Sequence, residues 1–338
     1  RIGGYERFSG QPSPSLGANP AAIEARRAAI AKPPGVGPIR GVVIYEGSVY
    51  CFRDDASGIG QMFKSSPTGW VRQHFGHTIN FTLGTVEFSE GAVLAGDTSA
   101  ATATIERVVL QSGQWDGSAA GYLVVSDLTG QFLEGETGTG SETGSARMQP
   151  ANPIFLVAGG HYDFTVHNFY GATKRPRLYG VNGVGPGFEW DGEVFAPIRT
   201  GNAAGTLDDV LTYVARNGDG ILSRNGDTII GRGEHDKPAH VGQYSNHLFL
   251  SFNAGSIIHS GIGEPLDYRV VAGAGEITFG GAPTGILSSV TTSLVIFGQS
   301  RVEYMLGDDS SNFEMRPVSD AAGAVRWSAQ MAGEAPIY

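Results

Sequence analysis

His247 and His259 are residues whose type and spacing raise the question of a chemical site. They stand on the two arms of SNHLFLSFNAGSIIHSGIGEPLDY, Ser245 to Tyr268. Leu248, Phe249, Leu250 and Phe252 make one apolar strand, Asn253-Ala254-Gly255 break it, and Ser256 to His259 resume it. A turn centred on Ala254 sets His259 opposite Phe249 and His247 opposite Gly261. The imidazoles then share a face about two residues out of step, a backbone diagonal of ~7 to 8 Å. A one-residue shift of the turn sends them to opposite faces. Neither register is a ready chelate without a third ligand, so the pair reads as polar strand residues near turns.

Carboxylates are the second candidate chemistry. Hydrolysis of a sugar linkage needs two of them about 5 to 9 Å apart with separated pKa values. Asp54, Asp55, Glu189, Asp191, Glu193 and Glu303 qualify by type, but most lie in or beside turns such as Asp54-Asp55 and Asp191-Gly192, where acids serve the backbone. Lys174-Arg175-Pro176-Arg177 is the densest basic patch, and in a chain of net charge −10 it reads as a solvated edge or a subunit contact. KSSPTGW, Lys64 to Trp70, has the serine, glycine and tryptophan of an Asp-box hairpin without its aspartate, and reads as a turn with a packed indole. GVNGVGPG, Gly180 to Gly187, has the glycine density of a nucleotide loop but no helix pattern after it, so it is a turn. No GxSxG elbow, GxxxxGK[ST] loop or HExxH helix occurs. No catalytic, cofactor or metal residue is assigned, and the chain is not expected to be an enzyme.

The elements that position these residues follow from composition. The 51 glycines among 338 residues are about twice the usual share of ~7%, and the 17% of charged residues falls below the usual ~25%. Many aromatic and β-branched residues between glycine turns predict many short strands. The acid excess argues against a protein that grips phosphate backbones. Cys51 is the only cysteine, which excludes an intrachain disulfide and a cysteine zinc cage. No apolar run reaches the ~18 residues of a membrane helix. The start at Arg1 and the apolar end APIY suggest a piece of a longer chain.

One strong helix signal, NPAAIEARRAAIAKPPG, has Asn19 as N-cap and Pro20 at the first position. A second, Thr206 to Arg216, would sit equally well as strand. From Gly41 a strand–turn–strand grammar begins in GVVIYEGSVYCFRDD. It returns in RPRLYGVNGVGPGFEWDGEVFAPI, in the histidine hairpin, and in TTSLVIFGQSRVEYMLGDDSSNFEMRPV. These are degenerate repeats of roughly 40 to 50 residues, the period of propeller blades. The stretch 77–150 breaks the pattern and reads as an inserted small β domain closed by GETGTGSETGSAR.

The expected fold is therefore all-β. It is a β-propeller with a short N-terminal helical arm (1–37), a first blade (38–76), the insert (77–150) and the remaining blades (151–338). Roughly 225 residues of repeat make about five blades. The ring is expected to need chain beyond Tyr338, or an adjacent subunit, to complete its edge strands.

These stretches resemble the β-propeller tail nozzle or hub proteins of short-tailed, podovirus-type bacteriophages. The likeness lies in RIGGYERFSGQPSPS, in GSVYCFRDD with KSSPTGW, in NHLFLSF followed by GSIIHSGIGEPLDY, and in TTSLVIFGQSRVEYMLG. The insert, with DTSAATATIERVV and GSAAGYLVVSDLTGQFLEGE, is similar to a small β module frequent in phage virion proteins. The resemblance implies a structural virion protein in the tail, assembled in the host cytoplasm as a ring of six. That ring would sit below portal and adaptor, pass the genome through its lumen without specific binding, and contact fibres, spikes and a tail-tip protein. The competing classes are a glycan-binding receptor-recognition propeller, using Trp70, Trp115, Trp190 or Tyr170 as platforms, and a polysaccharide-degrading enzyme.

Overall fold

A computed structural model describes residues 31–200 and 237–332, apart from position 254 and positions 289–292, with strands at 212–214, 221–223 and 335–337 and scattered positions between 21 and 28. The helical arm expected after Asn19 lies mostly outside the described residues, as does most of the stretch from Thr206 to Arg216. The architecture is all-β. No helix among the described residues is long and apolar enough to cross a membrane.

The first four strands, β1 (Ile39–Tyr45), β2 (Ser48–Asp54), β3 (Ile59–Ser66) and β4 (Gly69–Arg72), form an antiparallel meander. Its first hairpin turns on Glu46-Gly47, both at positive φ (47° and 72°), the twist that suits a two-residue hairpin. The KSSPTGW stretch is the β3–β4 hairpin, with Ser66 paired to Gly69 across Pro67-Thr68.

The chain then leaves this sheet to build a closed barrel of six strands. These are β5 (His77–Val86), β6 (Val93–Gly96), β7 (Thr102–Ser112), β8 (Ala119–Thr129), β9 (Thr137–Gly140) and β10 (Ser145–Met148). They run in the order β10-β9-β6-β7-β8-β5, and β10 pairs β5 to close the ring. Ile79, Phe81, Leu94, Ile105, Leu123, Val125, Phe132 and Met148 fill it. Closure leaves no open edge. All six strands fall inside the 77–150 stretch. Gly121 on β8 shows how tightly it is built, since a Cβ there would come within 1.9 Å of the Val109 carbonyl oxygen. β11 (Asn152–Pro153) adds to β5, and β12 (Leu156–Val157) returns the chain to β3.

Three more four-stranded antiparallel meanders follow. The second holds β13 (Asp163–His167), β14 (Arg177–Val181), β15 (Gly187–Trp190) and β16 (Phe195–Ile198). A short pair, β17 (Thr212–Val214) and β18 (Ile221–Ser223), comes next. The third meander holds β19 (His240–Tyr244), β20 (His247–Ser251), β21 (Ser256–His259) and β22 (Gly275–Thr278). The fourth holds β23 (Gly285–Ser288), β24 (Leu294–Phe297), β25 (Val302–Leu306) and β26 (Glu314–Ser319). A final pair joins β27 (Gln330–Ala332) to β28 (Ala335–Ile337).

Apolar residues from neighbouring meanders meet face to face. Phe52, Met62, Leu178, Phe188 and Trp190 join the first to the second. Tyr179, Val181, Leu248, Leu250 and Ile258 join the second to the third, and Phe249, Ile257, Leu294, Ile296 and Met305 join the third to the fourth. The leading strands also adjoin, β1 beside β13, β13 beside β19 and β19 beside β23. Sheets whose two faces are both covered read as continuous apolar runs, which explains LFLSF and LVIF in the sequence.

Candidate functional site

The histidine hairpin takes the first of the two registers that its sequence allows. Phe249 pairs with His259, and the two imidazoles lie on one face with ring centroids 5.2 Å apart. Both residues are buried, which corrects the reading of polar residues near turns: they belong to the core. Phe313 packs edge-on against both rings. The Ser260 carbonyl accepts from His247 Nδ1 at 2.6 Å and from His259 Nδ1 at 3.1 Å, so both Nδ1 atoms carry hydrogen. Burial pushes the His259 pKa down to about 4 against the pull of that carbonyl, and burial lowers His247 as well. His259 Nε2 faces the backbone of Gly275, its partner on β22, where a Cβ would stand 2.5 Å away. No described group of three or more His, Cys, Asp or Glu side chains is arranged to hold a metal ion. The arrangement makes neutral, buried imidazoles that fill a sheet.

The carboxylates separate into turn residues and one buried cluster. Asp55 accepts from the amides of Ser57 and Ile59 and from Gln61, and the Ile59 hydrogen bond leads in holding its pKa below the ordinary range. Asp54 pairs with Arg40 at 2.7 Å and accepts from the Gly159 amide. Glu193 is exposed, and Glu303 faces Arg301 at 3.4 Å.

Glu189 on β15 is different, being only 1% exposed. It accepts from Tyr170 at 2.8 Å, from Tyr179 at 2.9 Å and from Arg177, and Arg107 of the barrel stands 3.6 Å away. The Arg177 guanidinium also lies 3.8 Å over the Tyr170 ring. Burial raises the pKa of both tyrosines, and the Glu189 charge adds to it. Arg107 bridges onward to Asp191. Burial pushes the Asp191 carboxyl up, but amide hydrogen bonds from Val194 and Glu193 and the Arg107 charge outweigh it and keep the pKa low. These groups are engaged with one another. The cluster is a joint, fastening the barrel to the second meander. It also corrects the solvated-edge reading of Lys174 to Arg177: Arg175 is solvated at 79% side-chain exposure, whereas Arg177 is buried.

Arg107 was not legible as part of this group, and the reason is a bulge. Along β7 the residues facing the barrel interior are Ala103 and Ile105, then the register shifts between Ile105 and Arg107. Beyond it Val108 and Leu110 pack toward the barrel core, while Arg107 and Val109 turn to the second meander. One extra residue has exchanged the faces. The signal was present in TIERVVL, where alternation gives way to a continuous run. Around this joint Val109, Tyr122 and Val124 pack on Ala196 and Leu266, and Arg199 reaches Asn80 at 2.8 Å and Thr78 at 3.2 Å.

The tryptophans read as platforms divide likewise. Trp190 is core at 1% exposure, Tyr170 belongs to the Glu189 cluster, and Trp70 donates to the Ala31 carbonyl at 3.0 Å. Trp115, half-buried, stacks on Phe81 at 5.2 Å and lines a cleft of about 630 Å³ between the barrel and the β21–β22 loop. The GVNGVGPG turn is held by Asn182, whose side-chain oxygen accepts from the amides of Val184 and Gly185.

No family model and no curated protein matches this chain. Among solved structures it is similar to the computationally designed Ika8 protein, at 10% identity, covering 90% of this chain and 93% of that one with a TM-score of 0.24. Saccharomyces cerevisiae Sqt1 gives 8% identity, 85% and 86% coverage and a TM-score of 0.24. The extracellular domain of the putative hybrid two component system BT3049 from B. thetaiotaomicron gives 8% identity, 82% and 45% coverage and a TM-score of 0.22. At these scores the likenesses carry no argument about fold or function.

Proposed function

We propose that the four meanders are blades of a β-propeller and that the chain is a structural virion protein of a bacteriophage tail, a nozzle or hub built as a ring of six copies. The observation that carries this reading is the adjacency of the leading strands β1, β13, β19 and β23 in sheets that pack face to face, which is how blades fan around a hub. The closed barrel fastened to the second meander by buried ion pairs suits a rigid scaffold that carries an outward module. In this reading the ring gives the genome a channel below portal and adaptor and gives fibres, spikes and tail-tip proteins a surface. A net charge of −10 per copy keeps the passing DNA unbound, because like charge repels its backbone.

Electron-microscopy class averages of the purified chain and of assembled particles test it. Six-fold rings with an open lumen are expected. A monomer at every concentration, with no density on the tail axis, overturns the ring. A lumen faced mainly by Lys and Arg overturns the account of DNA passage.

A further inference from the structure

We infer that the cleft between the barrel and the β21–β22 loop is a binding site for an uncharged saccharide. This goes beyond the ring and does not depend on it. One wall is the β7–β8 hairpin of the barrel, with Val108, Gln114 and Trp115. The other is the compact loop that carries Glu264, Asp267 and Arg269, and Glu87 joins the rim. At about 630 Å³ the cleft has the size of a small-molecule site.

The two walls are fixed before any ligand arrives. The Arg269 guanidinium forks onto both oxygens of Asp267 and donates to the Gly113 carbonyl at 2.9 Å, so the loop is tied to the barrel hairpin. The Trp115 ring is set by Phe81 stacked at 5.2 Å and Phe88 edge-on at 5.9 Å, and Gly84 leaves the room it needs, since a Cβ there would meet the indole at 2.5 Å. A held aromatic platform costs little entropy to use.

The chemistry of the lining selects the ligand. A sugar ring offers a flat C–H face, which stacks on an indole, and a rim of hydroxyls, which donate to carboxylates and pair with amides. Trp115, Gln114, Glu87 and Glu264 supply those partners. Partial burial and the neighbouring Asp267 raise the Glu264 pKa, and Glu87 adds to it, so the wall is already crowded with negative charge. That disfavours phosphates, uronic acids and other anions. A quaternary ammonium asks for several ring faces around it, and here Trp115 is the one aromatic residue in the lining, since Phe81 and Phe88 that pack on it are buried.

The probes are chitotriose, maltotriose and cellotriose, with trigalacturonate and choline as the charged alternatives. Each is titrated into the full chain and followed by tryptophan fluorescence and calorimetry. Saturable binding of at least one neutral trisaccharide is expected, with trigalacturonate and choline bound at least tenfold more weakly. Trp115→Ala should abolish it. Because that ring also packs on Phe81, the exposed changes Gln114→Ala, Glu87→Gln and Glu264→Gln provide the second test. Each should weaken binding about tenfold, the loss of one or two hydrogen bonds, with the unfolding midpoint unchanged. No saturable signal from any neutral probe, stronger binding of trigalacturonate or choline, or full binding by all three exposed variants overturns the inference.

Discussion

The short outer strands of the barrel and the inner strands of the meanders are buried in opposite ways. Along β6, β9 and β10 every second residue is buried, as in a strand with one face on a core and one outside it. Strands β14, β20, β21 and β24 are buried at every position, because each of their faces meets another sheet or chain segment. A one-sided strand keeps its polar groups in water. A two-sided strand takes them inside, where they must find partners or lose their charge. Glu189, His247 and His259 are three such residues, and the two imidazoles and the carboxylate solve the problem differently, by neutrality and by ion pairing.

The largest break of this comparison is Glu189→Ala. It takes the carboxylate from Arg177 and from two tyrosine hydroxyls, while Arg107 keeps Asp191, and removing one partner of a buried ion pair costs about 3 to 5 kcal/mol. Urea unfolding should show that loss. A change under about 1 kcal/mol would place the cluster with ordinary surface ion pairs.

The next effect is pH-dependent. His259 has a folded pKa of about 4, below the ordinary 6.5. Between those values the unfolded chain binds a proton that the folded chain refuses. Its contribution is therefore full above pH 6.5 and falls as the pH drops toward 4, by up to about 3 kcal/mol. Hydrogen exchange at pH 7 and pH 5 should show falling protection in β20 and β21 and steady protection in β7 and β8. Equal loss in both regions would remove the distinction.

The smallest effect sharpens the barrel side. Glu136 accepts from the amides of Thr98, Ser99 and Leu133 and from the Ser99 hydroxyl. Burial raises its pKa, but these hydrogen bonds outweigh that and hold it below the ordinary value. Its contribution is present above the ordinary glutamate pKa and lost as the pH falls through the folded one. Glu136→Gln should cost about 1 kcal/mol at pH 7. It should also flatten the barrel's acid response below about pH 4.3, read by the same exchange measurement.

Turn chemistry was the most legible layer. Glu46-Gly47, Asp191-Gly192 and Asn253-Ala254-Gly255 each announce a change of direction through residues that tolerate positive φ or accept from nearby amides, and the register of His259 against Phe249 followed from the last of them. The joint at Glu189 was not legible. Glu189, Arg177 and Tyr170 are close in sequence, but Arg107 comes from the barrel, and only a bulge aims it across. The cleft at Trp115 was hidden in the same way, since its other wall begins at Glu264.

The amino-acid sequence by itself determined an all-β protein of short strands, its turns, and the absence of the local motifs that announce a phosphate loop, a serine elbow or a zinc helix. Those properties depend on residues near one another along the chain, where φ preferences and alternation act directly. The tertiary structure alone decided which polar residues are buried, which aromatic ring lines a cleft and which charges meet. Those outcomes depend on how separate sheets pack, and a single extra residue in β7 is enough to turn a side chain from one face to the other.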